Sequence, residues 1–138
     1  MILIADSGGS KTDWRLVLQN GKIEQASSPG FNPYYQPIED LNRIVKEILL
    51  PKIPSGEQVK EIYFYGAGVS SEKNQLSIKT AFLEFFPHAQ IEIGWDLLAA
   101  ARALCGNEPG IACIMGTGSN SCLYDGKNII DNVANLGW

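Results

Sequence analysis

The sequence predicts an α/β domain on a mixed sheet, with three antiparallel strands first and helix-covered parallel strands after them. Three observations carry that prediction. Polar and apolar residues alternate near the N-terminus and meet an Asn20-Gly21 hairpin signal. From Pro37 to Leu104, helical and strand-like periods then alternate, the pattern of parallel strands covered by helices. The 138 residues are 45% hydrophobic and 19% charged, enough apolar material for a real core.

Met1–Ala5 reads as a short buried strand. Thr12–Gln19 reads as a half-buried strand with Trp14, Leu16 and Leu18 on one face, and Lys22–Ser28 as its return. Ile38, Leu41, Ile44, Val45, Ile48 and Leu49 recur at helical spacing, opened by Pro37 and stopped by Pro51, with Glu39 and Asp40 in the first turn. Val59–Tyr65 predicts a strand ending in Gly66-Ala67-Gly68. A second helix is predicted from about Glu72 to Phe86, with Leu76, Phe82, Leu83 and Phe86 turned inward. Ile91–Gly94 predicts a short strand, and Leu97–Leu104 a third helix started by Asp96. Ile111–Met115, Ser121–Tyr124 and Asn128–Asp131 predict the last strands, with a turn at Asp125-Gly126. All strands are expected in one sheet.

A net charge of −4 argues against non-specific nucleic-acid binding, which needs a basic surface. No apolar run approaches the roughly 20 residues of a membrane span. The N-terminus lacks the basic region and cleavage site of a signal peptide. Cys105, Cys113 and Cys122 are odd in number, share no metal-type spacing and lie in apolar segments. They read as reduced core cysteines, and a cytoplasmic location follows as the expectation.

Two glycine-rich polar loops stand out. Asp6-Ser7-Gly8-Gly9-Ser10-Lys11-Thr12-Asp13 and Gly116-Thr117-Gly118-Ser119-Asn120 each join two strand-like runs. Glycines allow close backbone approach, and exposed N–H groups and hydroxyls can donate to phosphate oxygens. Two such loops suggest a grip on a polyphosphate from two sides. The first is not a Walker loop, because the spacing before Lys11-Thr12 is too short and no helix follows.

Other residues carry two readings each. Asp6 is placed to hold hydrated Mg²⁺ beside phosphates, or to cap its own turn. Lys11 reaches a phosphate or is merely solvated, and Thr12 offers a hydroxyl or strand propensity. Asp96 reads as a helix cap or as a general base for an attacking hydroxyl. Its position after a strand favours the second, since ligands in open α/β sheets bind there. Asn32, in Gly30-Phe31-Asn32-Pro33-Tyr34-Tyr35, suits sugar hydroxyls or an ordinary Asn-Pro turn. Gly66-Ala67-Gly68-Val69-Ser70-Ser71 resembles another close-approach loop, or simply precedes a serine cap. His88 has no evident partner and is given no role.

Together these residues resemble the N-terminal lobe of the actin-like ATPase and sugar-kinase superfamily, which has a ribonuclease H-like fold. Within it the chain looks similar to the N-acetylglucosamine kinase branch, which includes ATPase activators of acyl-CoA reductases and dehydratases. Asp6–Thr12 resembles the phosphate-1 loop, Gly116-Thr117-Gly118-Ser119 the phosphate-2 loop, and Trp95–Ala100 the segment of the catalytic aspartate. The resemblance implies ATP-dependent phosphoryl transfer to an amino-sugar hydroxyl. Asp96 would be the base and Asp6 the Mg²⁺ holder through water. Gly8, Gly9, Ser10, Lys11, Thr12, Gly116, Thr117, Gly118 and Ser119 would hold ATP, and Asn32, Gly68 and Asn120 would face the sugar.

Family kinases have two lobes, and a Gly-Asp-Glu-Gly segment follows near where Leu136-Gly137-Trp138 ends here. Residues 1–138 are therefore expected to be a single N-terminal lobe, poor in catalysis without a C-terminal lobe and homodimeric in the full protein. Two other functions compete: an ATPase driving an electron-transfer partner through an iron–sulfur cluster, and a non-catalytic sugar sensor.

Overall fold

Alternation along the first 29 residues folds them into a meander. Strands β1 (Ile2–Ser7), β2 (Lys11–Val17) and β3 (Ile23–Pro29) pair antiparallel, with Asp6 opposite Asp13 and Ser7 opposite Thr12. Leu3, Ala5, Trp14, Leu16 and Ala26 are buried on one face, as the two-residue period requires. Strand β4 (Glu61–Gly66) adds parallel to β1, and β5 (Gln90–Trp95) parallel to β4. The order is β3-β2-β1-β4-β5, the mixed sheet that the sequence predicts. This computed structural model describes residues 1–116 and 119–133.

Helix α1 (Ile38–Ile44) begins after Pro37 with Glu39 and Asp40 in its first turn, where negative charge suits the helix dipole. It continues as a π-helical turn over Val45–Leu49 and a 3₁₀ turn over Leu50–Lys52. Pro51, lacking an N–H, lies where the regular helix has given out. Helix α2 (Glu72–Phe85) is capped by Ser71, whose hydroxyl accepts the Asn74 N–H at 3.2 Å.

Its buried stripe is Ile78, Ala81 and Phe82. Phe82 faces inward as predicted, and Phe86, just past the helix, is buried too. Leu76 and Leu83 are exposed instead. Leu76 precedes Ile78 by two residues, about 200° around the helix, so both cannot share a face. Trp14, Phe64 and Phe82 form a triangle at the core centre, with ring centroids 5.7 to 6.3 Å apart and tilted or edge-on. Such pairs add about 0.5–1.5 kcal/mol each beyond the area they bury.

By its contacts the chain divides into two compact units, one ending at Trp95 and the other beginning at Asp96. In the second, helix α3 (Asp96–Cys105) packs on β6 (Gly110–Met115) and β7 (Ser119–Tyr124), and β8 (Ile129–Val133) completes an antiparallel sheet. The expectation of one sheet is thus corrected: β6-β7-β8 form a sheet of their own. Short hairpin connections keep these strands paired with their immediate sequence neighbours. Leu97, Ala101, Ala112, Cys122 and Tyr124 are its buried residues, and the Tyr124 hydroxyl donates to Gly106 O at 3.1 Å.

The three cysteines divide. Cys122 is buried, Cys105 half-buried and Cys113 exposed, so the core reading fails for Cys113. Ala112 takes the inward position on β6, and the alternation sends Cys113 to the other face. That face also exposes Ile111, Met115 and Leu123. Among the described residues, no helix is long and apolar enough to cross a membrane.

Candidate functional site

In the first unit, the C-terminal ends of β1 and β4 lie side by side, Ser7 opposite Gly66. The Ala67 N–H donates to Ser7 O at 2.9 Å, holding the Gly66–Gly68 turn against the first loop. Gly8 N–H donates to Lys11 O at 2.9 Å and closes the β1–β2 turn. Neither Gly8 nor Gly9 has a positive φ. A Cβ on Gly9 would meet nothing within 4 Å, and one on Gly8 only Lys11 O at 3.5 Å. The fold does not require glycine there. What the missing side chains provide is bare backbone at the sheet edge, the arrangement a phosphate needs.

Asp6, Ser10 and Lys11 are exposed around this turn. Lys11 Nζ is 2.7 Å from Asp13 Oδ1, an exposed pair worth at most about 1 kcal/mol. Thr12 is placed differently from the sequence reading of a ligand hydroxyl. It is 1% exposed, and its hydroxyl lies 2.8 Å from Ser7 Oγ and donates to Pro29 O at 3.3 Å. Ser7 Oγ also accepts the Phe31 N–H at 3.2 Å.

Asn32 and Gly68, both read as sugar-side residues, are brought together. Gly68 has φ +76°, and a Cβ there would overlap Asn32 Oδ1 and stand 2.8 Å from Tyr34 Cδ2. Asn32 Oδ1 accepts the Tyr34 N–H at 3.0 Å, and the Asn32 N–H donates to Gln36 Oε1 at 2.8 Å. Asn74 Nδ2 donates to Gly68 O at 2.9 Å, tying the turn to α2. Tyr34 and Tyr35 are exposed beside this turn, 61% and 85%. Sequence reasoning placed Gly30 only in the Asn32 segment and missed its packing: it is buried against the first loop, where a Cβ would overlap Gly8 O and stand 2.7 Å from Gly9 C and Lys11 N. The sequence signal for that packing was only a Pro-Gly pair after a strand.

In the second unit, Asp96 opens α3 half-buried, and its Oδ1 accepts the Leu97 N–H at 2.8 Å. The carboxylate therefore caps its own helix through one oxygen. The short Gly106–Pro109 turn sends β6 back along α3, so Gly116 lies at the Asp96 end of this unit. Met115 pairs with Ser119, and Asn120 with Ile114. Asn120 Oδ1 is buried with no hydrogen-bond partner among the described residues. Such an atom costs about 1–3 kcal/mol unless a donor meets it. Thr117 and Gly118 lie outside the described residues. Burial pushes the Cys122 thiol up, which keeps it protonated and unreactive.

Asp6 and the bare Gly8–Gly9 backbone fit a metal–nucleotide ligand in kind: a hard cation takes oxygen donors and keeps much of its water, and phosphate takes N–H donors.

No family model and no curated protein matches the chain. Solved structures do. The chain aligns over 99% of its length, at 43% identity and a TM-score of 0.87, with a putative N-acetylglucosamine kinase from Porphyromonas gingivalis, covering 49% of that chain. It also aligns over 98%, at 12% identity and TM-score 0.65, with 51% of the ethanolamine utilization protein EutJ from Carboxydothermus hydrogenoformans. A putative 2-dehydro-3-deoxygalactonokinase from Sinorhizobium meliloti matches over 96%, at 13% identity and TM-score 0.54, with 52% of that chain covered. The chain spans about half the length of each.

This is the actin-like ATPase and sugar-kinase fold. Within it, the likeness at 43% identity is to the N-acetylglucosamine kinase branch, the family its motifs resemble.

Proposed function

We propose that this chain is the N-terminal lobe of an ATP-dependent amino-sugar kinase of the N-acetylglucosamine or glucosamine type. One observation carries the reading: the glycines bare of side chains that follow β1, and Gly68, which follows β4 and meets Asn32, stand at the same, C-terminal edge of these two paired strands. That edge offers N–H donors for phosphate beside an amide and two exposed tyrosines for a sugar. The 43% likeness over 99% of the chain supports the same class.

The roles follow from chemistry. Gly8, whose N–H closes the turn onto Lys11 O, leaves room for a phosphate, the N–H groups of Gly9 and Ser10 donate to its oxygens, and Lys11 exchanges its Asp13 pairing for them. Gly116, Thr117, Gly118 and Ser119 take phosphate in the same way from the second loop. Asp6 holds hydrated Mg²⁺ through water; when bound, that ion offsets the charge of the transferring phosphoryl group. Asn32, Gly68 and Asn120 face the sugar, the last with an acceptor already desolvated. Asp96 takes the proton from the attacking hydroxyl, and the bond its Oδ1 accepts from the Leu97 N–H holds the carboxylate in place for that task. A second lobe supplies the adenosine pocket.

The test is ADP release by the full-length protein with N-acetylglucosamine, glucosamine and N-acetylmuramic acid. Turnover that depends on one of these sugars supports the reading. Sugar binding with no ATP turnover would make the protein a sensor and end it. Appreciable turnover by residues 1–138 alone would remove the need for a second lobe.

A further inference from the structure

The loop on the phosphate side and the loop on the sugar side are joined by a chain of buried hydroxyls. Trp14 Nε1 donates to Ser28 Oγ at 2.9 Å, and Ser28 Oγ donates to Pro29 O at 3.0 Å. Pro29 O also accepts Thr12 Oγ1, which sits 2.8 Å from Ser7 Oγ, which accepts the Phe31 N–H. Ser7, Thr12 and Ser28 are 0%, 1% and 7% exposed, so water does not compete for these bonds. Over them Gly30 lies flat on the Gly8–Lys11 backbone, close enough that no side chain fits between. Gln36 Nε2 donates to Gly30 O at 3.2 Å while its Oε1 holds the Asn32 N–H. The two loops thus share one hydrogen-bonded seam.

We propose that Ser7, Thr12 and Gly30 are positioning residues that make residues 8–11 and 30–36 move as one body, so that a ligand on either segment raises affinity at the other. This rests on the kinase reading for the identity of the ligands, but the seam itself does not. By linkage, the coupling is reciprocal. Thr12 therefore serves the phosphates without touching them.

Two measurements on the full-length protein test it. The first is amide hydrogen exchange in Thr12→Val, which keeps the shape and drops the hydroxyl, and in Thr12→Ser, which restores it. Losing the Thr12 hydroxyl's bonds to Ser7 and Pro29 predicts at least about fivefold faster exchange at both Gly8 and Phe31 in Thr12→Val, with recovery in Thr12→Ser and no change at Leu16 or Phe64. Faster exchange at one segment only overturns the seam, as does no change at either. Ser7→Ala repeats the test if Thr12→Val does not fold.

The second is N-acetylglucosamine affinity with and without a non-hydrolysable ATP analogue. The wild type should bind the sugar more tightly with the analogue, Thr12→Val should lose that ratio, and Thr12→Ser should keep it. A wild-type ratio of one overturns the coupling. If the wild type binds neither ligand, the kinase reading falls, and the exchange experiment alone decides the seam.

Discussion

Replacing Gly68 by alanine should damage the sugar side of the site more than the fold, and Gly21 provides the control. Both glycines have positive φ, +76° and +83°. Any L-residue there loses about 1–2 kcal/mol for the left-handed conformation. Around Gly21 a Cβ meets nothing within 4 Å, so Gly21→Ala suffers that conformational cost alone. At Gly68 the same Cβ overlaps Asn32 Oδ1 and stands 2.8 Å from the Tyr34 ring. Asn32 must then move, and with it the bond its Oδ1 accepts from the Tyr34 N–H. That adds about 0.5–1.5 kcal/mol for the lost hydrogen bond. Urea denaturation should therefore place Gly68→Ala about 1 kcal/mol below Gly21→Ala. Sugar KM should rise about tenfold in Gly68→Ala and stay at the wild-type value in Gly21→Ala, since losing one hydrogen bond to the sugar costs up to about 1.5 kcal/mol and tenfold is about 1.4 kcal/mol. Equal denaturation curves and an unchanged sugar KM would refute the argument that Gly68 exists to seat Asn32.

Three further outcomes are expected. Asp96→Asn keeps a cap for Leu97 N–H but no base, so kcat should fall about 10²–10⁴-fold with sugar KM nearly unchanged, read by coupled ADP release. Gly9→Ala meets open space at ordinary φ, so its thermal midpoint should match the wild type while ATP KM rises; a lower midpoint with unchanged KM would mean the glycine serves the fold. Tyr63 donates its hydroxyl to Glu61 Oε2 at 2.7 Å, and that bond, then burial, then the Glu61 and Glu92 charges raise its pKa above the usual 10.0. Its stabilisation is complete below pH 10.0 and is lost as pH rises through the higher folded value. Stability against pH should therefore fall less steeply between pH 10.0 and that higher value in Tyr63→Phe.

The meander, the covering helices and the loop positions were legible because each rests on a local period. At two residues where the sequence reading went astray, the alternation of a strand had been set aside. Thr12 was read as a phosphate-side hydroxyl because it lies in the loop that resembles phosphate-1, yet Trp14, Leu16 and Leu18 had already been assigned to one face of the strand it begins. The same alternation puts Thr12 on that face, and the structure buries it there. Cys113 repeats the case: an apolar run suggested burial all along β6, but the small Ala112 beside α3 sends its neighbour outward.

The seam is a different matter. Ser7 and Phe31 are 24 residues apart, and no period links them. Their meeting depends on β1 lying between β2 and β4, and on the chain after β3 turning back over the end of β1. The sequence shows glycines at 8, 9, 30 and 68 alike. Only the neighbours of each missing Cβ separate Gly9, where the space is open, from Gly30, where backbone fills it. An open glycine leaves backbone for a ligand to approach, while a filled one fixes where that backbone lies. That division lets the same small residue build both the β1–β2 turn and its support.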